Sequence, residues 1–416
     1  MIFFVINFLR DNFGIKVPLA FEYYSTRMML AAITALVLSI FLGPRFIKKL
    51  YELKIGQSIR MEECPLLGQL HEKKKDTPTM GGVLILFSML VSMFLWMDLT
   101  HIFTLILLLT TLVLGALGAR DDYLKLKYKN TKGISGRKKL LIQGLLAGLI
   151  AIYLLVPSMA DLMHVGSWFE PPIIKEHLST ILQDSSNVGH QVQMPQSSVE
   201  QISLSDSASR IYLPFFKDPI LSLTGVFGII AFILIVCVIV GSSNAVNLTD
   251  GLDGLAAGCL IMVASCLACI AFISNHIDLA GYLNILYIEG SGEIGIYLCA
   301  FVGACIGFLW YNGYPAQVFM GDTGSLALGG VLGVSAVLLK REFLLAIIGG
   351  IFVAETLSVI LQVGSYKLRN KKRIFLCTPL HHHFEYKGWP ETKVVVRFWI
   401  VGLLLAIIGM ASLKFQ

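Results

Sequence analysis

The chain has 416 residues, of which 56% are hydrophobic and only 14% charged. About a quarter of a typical globular chain is charged, so this composition excludes a soluble domain and defines an integral membrane protein. The net charge of +6 is concentrated in connections that share one membrane face. It points to anionic head groups and phosphate substrates and away from nucleic acid.

Apolar runs long enough to span a bilayer predict an all-α, polytopic membrane protein of ten transmembrane helices. They fall at 24–44, 79–97, 102–119, 138–156, 220–241, 254–275, 294–310, 322–339, 343–363 and 394–413. Residues 1–22 read as an interfacial amphipathic segment. Arg10, Asp11 and Asn12 break its apolar stretch and no small-residue cleavage site follows, which argues against a secretory signal. The connections between helices 1–2, 3–4 and 9–10 hold twenty-three lysines and arginines, against nine on the other side. The positive-inside rule then predicts both termini outside (periplasmic) and the five loops between odd and even helices in the cytoplasm.

Residues 158–218 depart from this pattern, being polar, rich in Ser and Gln, and carrying prolines at 171, 172, 195, 214 and 219. They are expected to form a poorly ordered periplasmic loop with no catalytic role, inserted in a single membrane-embedded domain that spans 1–416. The eight cysteines lie mostly inside spans without ligand spacing, and even Cys266 and Cys269 read as small core residues.

The acids gather in the cytoplasmic loops. Asp121 and Asp122 end the third helix, with Lys125 one turn on and able to lie beside either. An Asp-Asp pair at a helix end is by itself a solvated terminus, and the other loops change that reading. The segment Asn247-Leu248-Thr249-Asp250-Gly251-Leu252-Asp253-Gly254 contains no lysine or arginine. Asn247, Asp250 and Asp253 recur every third residue and would share one helical face, while the glycines allow close approach of a substrate. Uncompensated carboxylates at a membrane are functional by default. The loop from Tyr311 to Ser325 again presents an acid, Asp322, without a basic partner of its own, so a metal is the expected missing charge. A magnesium ion is usually held by one or two carboxylates together with substrate phosphates.

Three consecutive histidines, His381, His382 and His383, precede Phe384 and Glu385. Neighbouring side chains cannot all face one ion and a tag would sit at a terminus, so phosphate binding or proton handling is the better reading. The string Lys73-Lys74-Lys75-Asp76-Thr77-Pro78-Thr79-Met80-Gly81-Gly82 is a positive-inside anchor by its charge. That leaves its Thr-Pro-Thr-Met-Gly-Gly portion unexplained.

Through these five loops the chain resembles the phospho-N-acetylmuramoyl-pentapeptide-transferases, within the polyprenyl-phosphate N-acetylhexosamine-1-phosphate transferase superfamily. The resemblance runs through residues 76–82, 121–125, 247–256, 315–330 and 379–385 and covers essentially all ten spans. It implies transfer of phospho-N-acetylmuramoyl-pentapeptide from UDP-N-acetylmuramoyl-pentapeptide to undecaprenyl phosphate in the bacterial inner membrane, with UMP released and Mg2+ required. By motif, Asp322 would hold the magnesium, Asp121 would take a proton from the lipid phosphate, and Asp122 would support it or the metal. Lys125, His381, His382 and His383 complete the implied catalytic set. Lys74, Thr79, Asn247, Asp250, Gly251, Leu252, Asp253, Asn312, Phe319 and Gln362 would bind substrate, with Phe319 stacking on the uridine. A homodimer among membrane lipids is also implied. The rivals are a sugar-1-phosphate transferase using UDP-N-acetylglucosamine, which the His-His-His and Thr-Pro-Thr-Met-Gly-Gly strings disfavour, and a transporter or flippase. The latter would carry ionisable groups near mid-membrane, where this chain has only Glu355.

Overall fold

A computed structural model describes residues 10, 12–13, 19–53, 77–128, 133–164, 166, 168–179 and 197–414. Ten apolar helices form the bundle. They are α1 (Tyr24–Glu52), α2 (Gly82–Trp96), α3 (Ile102–Lys127), α4 (Gly136–Leu155), α5 (Gly228–Thr249), α6 (Leu255–Ser274), α7 (Ser291–Asn312), α8 (Gly321–Leu338), α9 (Gly350–Leu368) and α10 (Glu391–Ser412). Among the described residues, nine helices are long and apolar enough to cross a membrane. The exception is α2, whose 15 residues rise only about 22 Å, less than the hydrocarbon core.

The helix that opens on Asp322 is the axis of the bundle: 89% of the apolar window of α8 is buried, against 17% for residues 225–249. Small residues make this burial possible, because lipid tails are as apolar as leucine and helices associate by close backbone packing. A Cβ on Gly329 of α8 would lie 2.6 Å from the Ser242 carbonyl of α5, and one on Gly303 of α7 would lie 2.0 Å from the Ala32 carbonyl of α1. Two buried serines bond across the helix seams. Ser39 donates to the Ser88 hydroxyl at 3.1 Å and Ser92 to the Ala31 carbonyl at 2.8 Å.

Two predicted helices are displaced. The span expected at 220–241 forms at 228–249, because Leu221–Ser222 (β4) instead pairs antiparallel with Arg210–Ile211 (β3). The polar end of α5 stays helical since α4 satisfies it: Gln143 donates to Ser243 Oγ at 3.0 Å and accepts from Asn244 at 2.8 Å. The span expected at 343–363 is two helices, Glu342–Ile348 and α9, parted at Gly349.

The described parts of the segment 158–218 are also more ordered than their composition suggests. Ile174–Ser179 (β1) pairs antiparallel with Ser197–Ile202 (β2) and with Tyr287–Ile288 (β5), in the order β2-β1-β5. Glu176 of β1 accepts from Arg210 at 2.5 Å and from the Tyr212 hydroxyl at 3.2 Å. Residues 180–196 of this segment lie outside the described residues. Since α7 starts just after β5 and ends beside the acidic loops, the sheet and the acids occupy opposite ends of the bundle.

Candidate active site

The last two turns of α3 place Asp121, Asp122 and Lys125 against the N-terminus of α8. One oxygen from each of Asp121, Asp122 and Asp322 falls within 4.8 Å of the others. Asp121 is fully buried and Asp122 nearly so. Two ammonium groups bridge the cluster. Lys125 Nζ lies 2.7 Å from Asp121 Oδ2 and 3.0 Å from Asp322 Oδ2, and Lys139 Nζ lies 2.9 Å and 2.7 Å from the same two oxygens. Asp322 therefore has two basic partners, contrary to the expectation from its own loop, and both come from elsewhere in the chain. Lys139, in the first turn of α4, carries no signal in the sequence beyond the positive-inside bias. Asp121 Oδ1 accepts from the Ile134 backbone at 2.6 Å, and Asn247 of α5 donates to Asp322 Oδ1 at 3.0 Å.

Asp122 has a different task from its neighbour. It accepts from the Asp322 backbone at 3.1 Å, the Thr323 backbone at 2.9 Å and the Thr323 hydroxyl at 2.6 Å. A carboxylate on the orphan amides of a helix start stabilises that start, so Asp122 anchors α8 and thereby aims Asp322. The same junction explains the Thr-Pro-Thr-Met-Gly-Gly string. The Pro78 carbonyl accepts from Phe319, and the amides of Gly81 and Gly82 donate to the carbonyls of Phe319 and Met320, each at 2.8 Å. Gly321 turns there with φ +74. A Cβ on it would sit 2.8 Å from both Asp122 Oδ2 and Thr79 Oγ1, which puts Thr79 at the edge of the cluster.

The loop between α5 and α6 is not helical beyond Thr249, so Asn247, Asp250 and Asp253 do not share a helical face as their spacing suggested. Each takes a separate partner. Asp250 accepts from the Gly321 backbone; burial first, then the charges of Asp322 and Asp122, push its carboxyl up to about 7. Asp253 accepts from the Ala316 backbone at 3.0 Å, while its own amide donates to Glu391 at 2.8 Å. Asn312 joins the same loops, accepting from Gly254 at 3.0 Å and donating to the Val318 carbonyl at 2.8 Å. Leu252 is buried in the core and Phe319 is half-buried.

The three histidines point to three places. His381 is fully buried, its backbone amide donating to Glu355 Oε1 at 3.1 Å and its Nδ1 lying 3.2 Å from the same oxygen. Its Nε2 abuts Gly251, where a Cβ would come within 2.3 Å. His382 Nδ1 lies 2.7 Å from Glu385, and His383 Nδ1 accepts from the Leu376 backbone at 3.2 Å. Gln362 caps the chain ahead of them, accepting from Ile374 at 2.9 Å and Phe375 at 3.0 Å. Lys74 lies outside the described residues.

Three carboxylates against two ammonium groups leave a net negative charge within a few ångströms, and every donor is a hard oxygen. Such a set fits a magnesium-like cation and not a thiolate-seeking one.

Fold and site define a multi-pass membrane helix bundle with a buried carboxylate centre braced by lysines. Residues 104–340 match the family model of Glycosyl transferase family 4, and residues 74–86 match phospho-N-acetylmuramoyl-pentapeptide-transferase signature 1. Over 416 residues, all of both chains, the sequence is 68% identical to the phospho-N-acetylmuramoyl-pentapeptide-transferase of Protochlamydia amoebophila (strain UWE25). The chain belongs to the phospho-N-acetylmuramoyl-pentapeptide-transferase family.

Proposed function

We propose that this protein transfers phospho-N-acetylmuramoyl-pentapeptide from its uridine diphosphate carrier to undecaprenyl phosphate, forming lipid I and releasing UMP, at the first membrane step of peptidoglycan synthesis. The observation that carries this reading is the pair of lysines bridging Asp121 and Asp322, in a chain whose family acts on this substrate. A pyrophosphate is negatively charged and repels an attacking phosphate until that charge is neutralised. Lys125 and Lys139 keep 30% and 16% of their side-chain surface exposed, so their ammonium groups can turn from the carboxylates to incoming phosphates.

That exchange frees Asp121 Oδ2 to take the proton of undecaprenyl phosphate, the role assigned here to Asp121. Asp322 would hold Mg2+, which when bound supplies further charge neutralisation at the pyrophosphate. Asp122, engaged with α8, holds Asp322 in place. The loop of Asp250, Gly251, Leu252 and Asp253, with Thr79, Asn312, Phe319, Gln362, His381, His382 and His383, is assigned to the nucleotide, and Lys74 is assigned to it by motif alone. Both termini and residues 158–218 lie outside and the acidic loops lie in the cytoplasm, where the soluble nucleotide is available; the whole chain acts as one domain, as a homodimer in the inner membrane. The test is UMP release by purified protein given undecaprenyl phosphate and either UDP-N-acetylmuramoyl-pentapeptide or UDP-N-acetylglucosamine. Release with the first and not the second is expected; the reverse preference would assign the chain to the rival sugar-1-phosphate transferases.

A further inference from the structure

At the far end of α8 from the acidic cluster the chain runs Lys340-Arg341-Glu342, and all three residues are buried at 6% exposure. One acid serves two bases. Glu342 is already committed to Lys340, whose Nζ lies 2.7 Å from its Oε1 and also donates to the Ala208 carbonyl at 3.1 Å. The Arg341 guanidinium makes no hydrogen bond to any described residue, and its Nε is buried without a partner. Burial lowers its pKa only to about 10, so it stays charged at neutral pH. Glu342 and Tyr212 act on it only through charge, so two buried bases share one carboxylate, and such an excess of buried positive charge is destabilising unless a further anion compensates it.

Arg341 lines a narrow surface cleft with Tyr212, Pro214, Leu344, Ser412 and Leu413. None of these brings a carboxylate. Beyond Pro214 the chain exposes Phe215 at 46%, Phe216 at 57% and Leu221 at 55%, an apolar rim suited to a membrane interface. The 18 residues of α8 separate this cleft from Asp322 by about 27 Å, so it lies at the opposite membrane face.

We propose that the Arg341 cleft is a binding site for one phosphate group, either the head group of an anionic phospholipid or free phosphate. A guanidinium is the side chain suited to this, since its planar fork matches phosphate oxygens. The exposed aromatic rim favours the lipid.

The test compares the thermal unfolding midpoint of wild type and Arg341→Met in phosphatidylcholine nanodiscs, with inorganic phosphate added or with phosphatidylglycerol replacing part of the lipid. Wild type should gain about 3 °C at a hundredfold excess over Kd. Arg341→Met should lose that gain and turn over substrate normally in phosphatidylcholine. A gain with phosphatidylglycerol alone identifies the head group, and a gain with inorganic phosphate alone identifies the free anion. No gain with either, or an equal gain in the variant, overturns the proposal. Should Arg341→Met not fold, Ser412→Asp supplies a carboxylate from within the cleft. It should raise the midpoint and abolish the response to phosphate, and a Ser412→Asp protein that still responds as wild type does overturns the site.

Discussion

Glu355 and His381 form a buried pair in which one carboxylate oxygen meets both the backbone amide of His381, at 3.1 Å, and its ring Nδ1, at 3.2 Å. The hydrogen bond is made by the backbone amide, and the ring only lies beside the carboxylate, with Nε2 turned to the Gly251 loop. Removing the acceptor strands a buried donor, which costs about 1–3 kcal/mol. Glu355→Leu should therefore lower the thermal unfolding midpoint and, by freeing His381 to shift, lower UMP release as well. Glu355→Gln keeps an acceptor oxygen and should retain most of the activity. Equal losses in both variants would show that the charge, and not the positioning, is what matters.

Gly251 tests the other side of that contact. A Cβ there would come within 2.3 Å of His381 Nε2, and His381 is fully buried and held from behind by Glu355, so neither side can yield. Gly251→Ala should impair activity and stability together. Combining it with His381→Ala removes the clash and should recover the lost thermal stability but not the lost turnover. Additive stability losses in the double variant would disprove the contact.

The ten apolar segments and the identity of the acidic loops were legible in the sequence, because hydropathy and local motif are properties of neighbouring residues. What was hidden depended on distant ones. Lys139 reaches Asp322 across 183 positions, and nothing near Lys139 distinguishes it from Arg137 or Lys138 as a topology-setting charge. The displaced α5 has the same origin. A hydropathy window discards Ser243, Asn244 and Asn247 as too polar, although Gln143, Ser325 and Asp322 satisfy them inside the bundle. The order of residues 197–212 was unreadable because β2 pairs with β1 and β3 with β4, both separated in sequence, and Glu176 is needed to hold Arg210 and Tyr212.

Asp322 is bound by two lysines and Asn247, while its backbone is held by Asp122. Asp322→Asn keeps the backbone contact and the amide partner, so the protein should fold and insert normally. Turnover should fall to background and the response to added magnesium should weaken. Magnesium titration of UMP release measures both. Near-normal turnover would remove Asp322 from the site, and Asp206→Asn, in the short helix Leu204–Ser209 at the other end of the bundle, should change nothing.

His101 gives a pH signature independent of the reaction. Its Nδ1 accepts from the Phe103 amide at 3.2 Å as the N-cap of α3, and burial, with Arg27 adding to it, holds the imidazole down to about 4. The unfolded chain protonates this histidine near pH 6.5, whereas the folded chain resists until about pH 4. Stability from this group is thus complete above the unfolded value and is lost as pH falls between the two, by up to roughly 3 kcal/mol. The unfolding midpoint should drop from pH 7 to pH 4.5. His101→Asn retains a capping oxygen without the titration and should flatten that part of the profile; an unchanged profile would assign the acid sensitivity to other groups.

Asp121 and Asp122, though adjacent, are held for different tasks. Adjacent helical residues point about 100° apart. Here Asp122 is turned onto the α8 amides while Asp121 Oδ2 faces Lys125 and Lys139. If Asp121 takes the proton from undecaprenyl phosphate, Asp121→Asn should lower turnover by roughly a hundredfold or more, the range expected of a positioned base. The variant keeps an oxygen for the Ile134 amide, and both lysines keep Asp322, so nucleotide affinity should change little. Raising the pH should restore part of the rate, because the lipid phosphate then loses its proton in solution. A variant whose nucleotide affinity falls in step with turnover, with no response to pH, would make Asp121 a member of the lysine and metal framework and would end its assignment as the base.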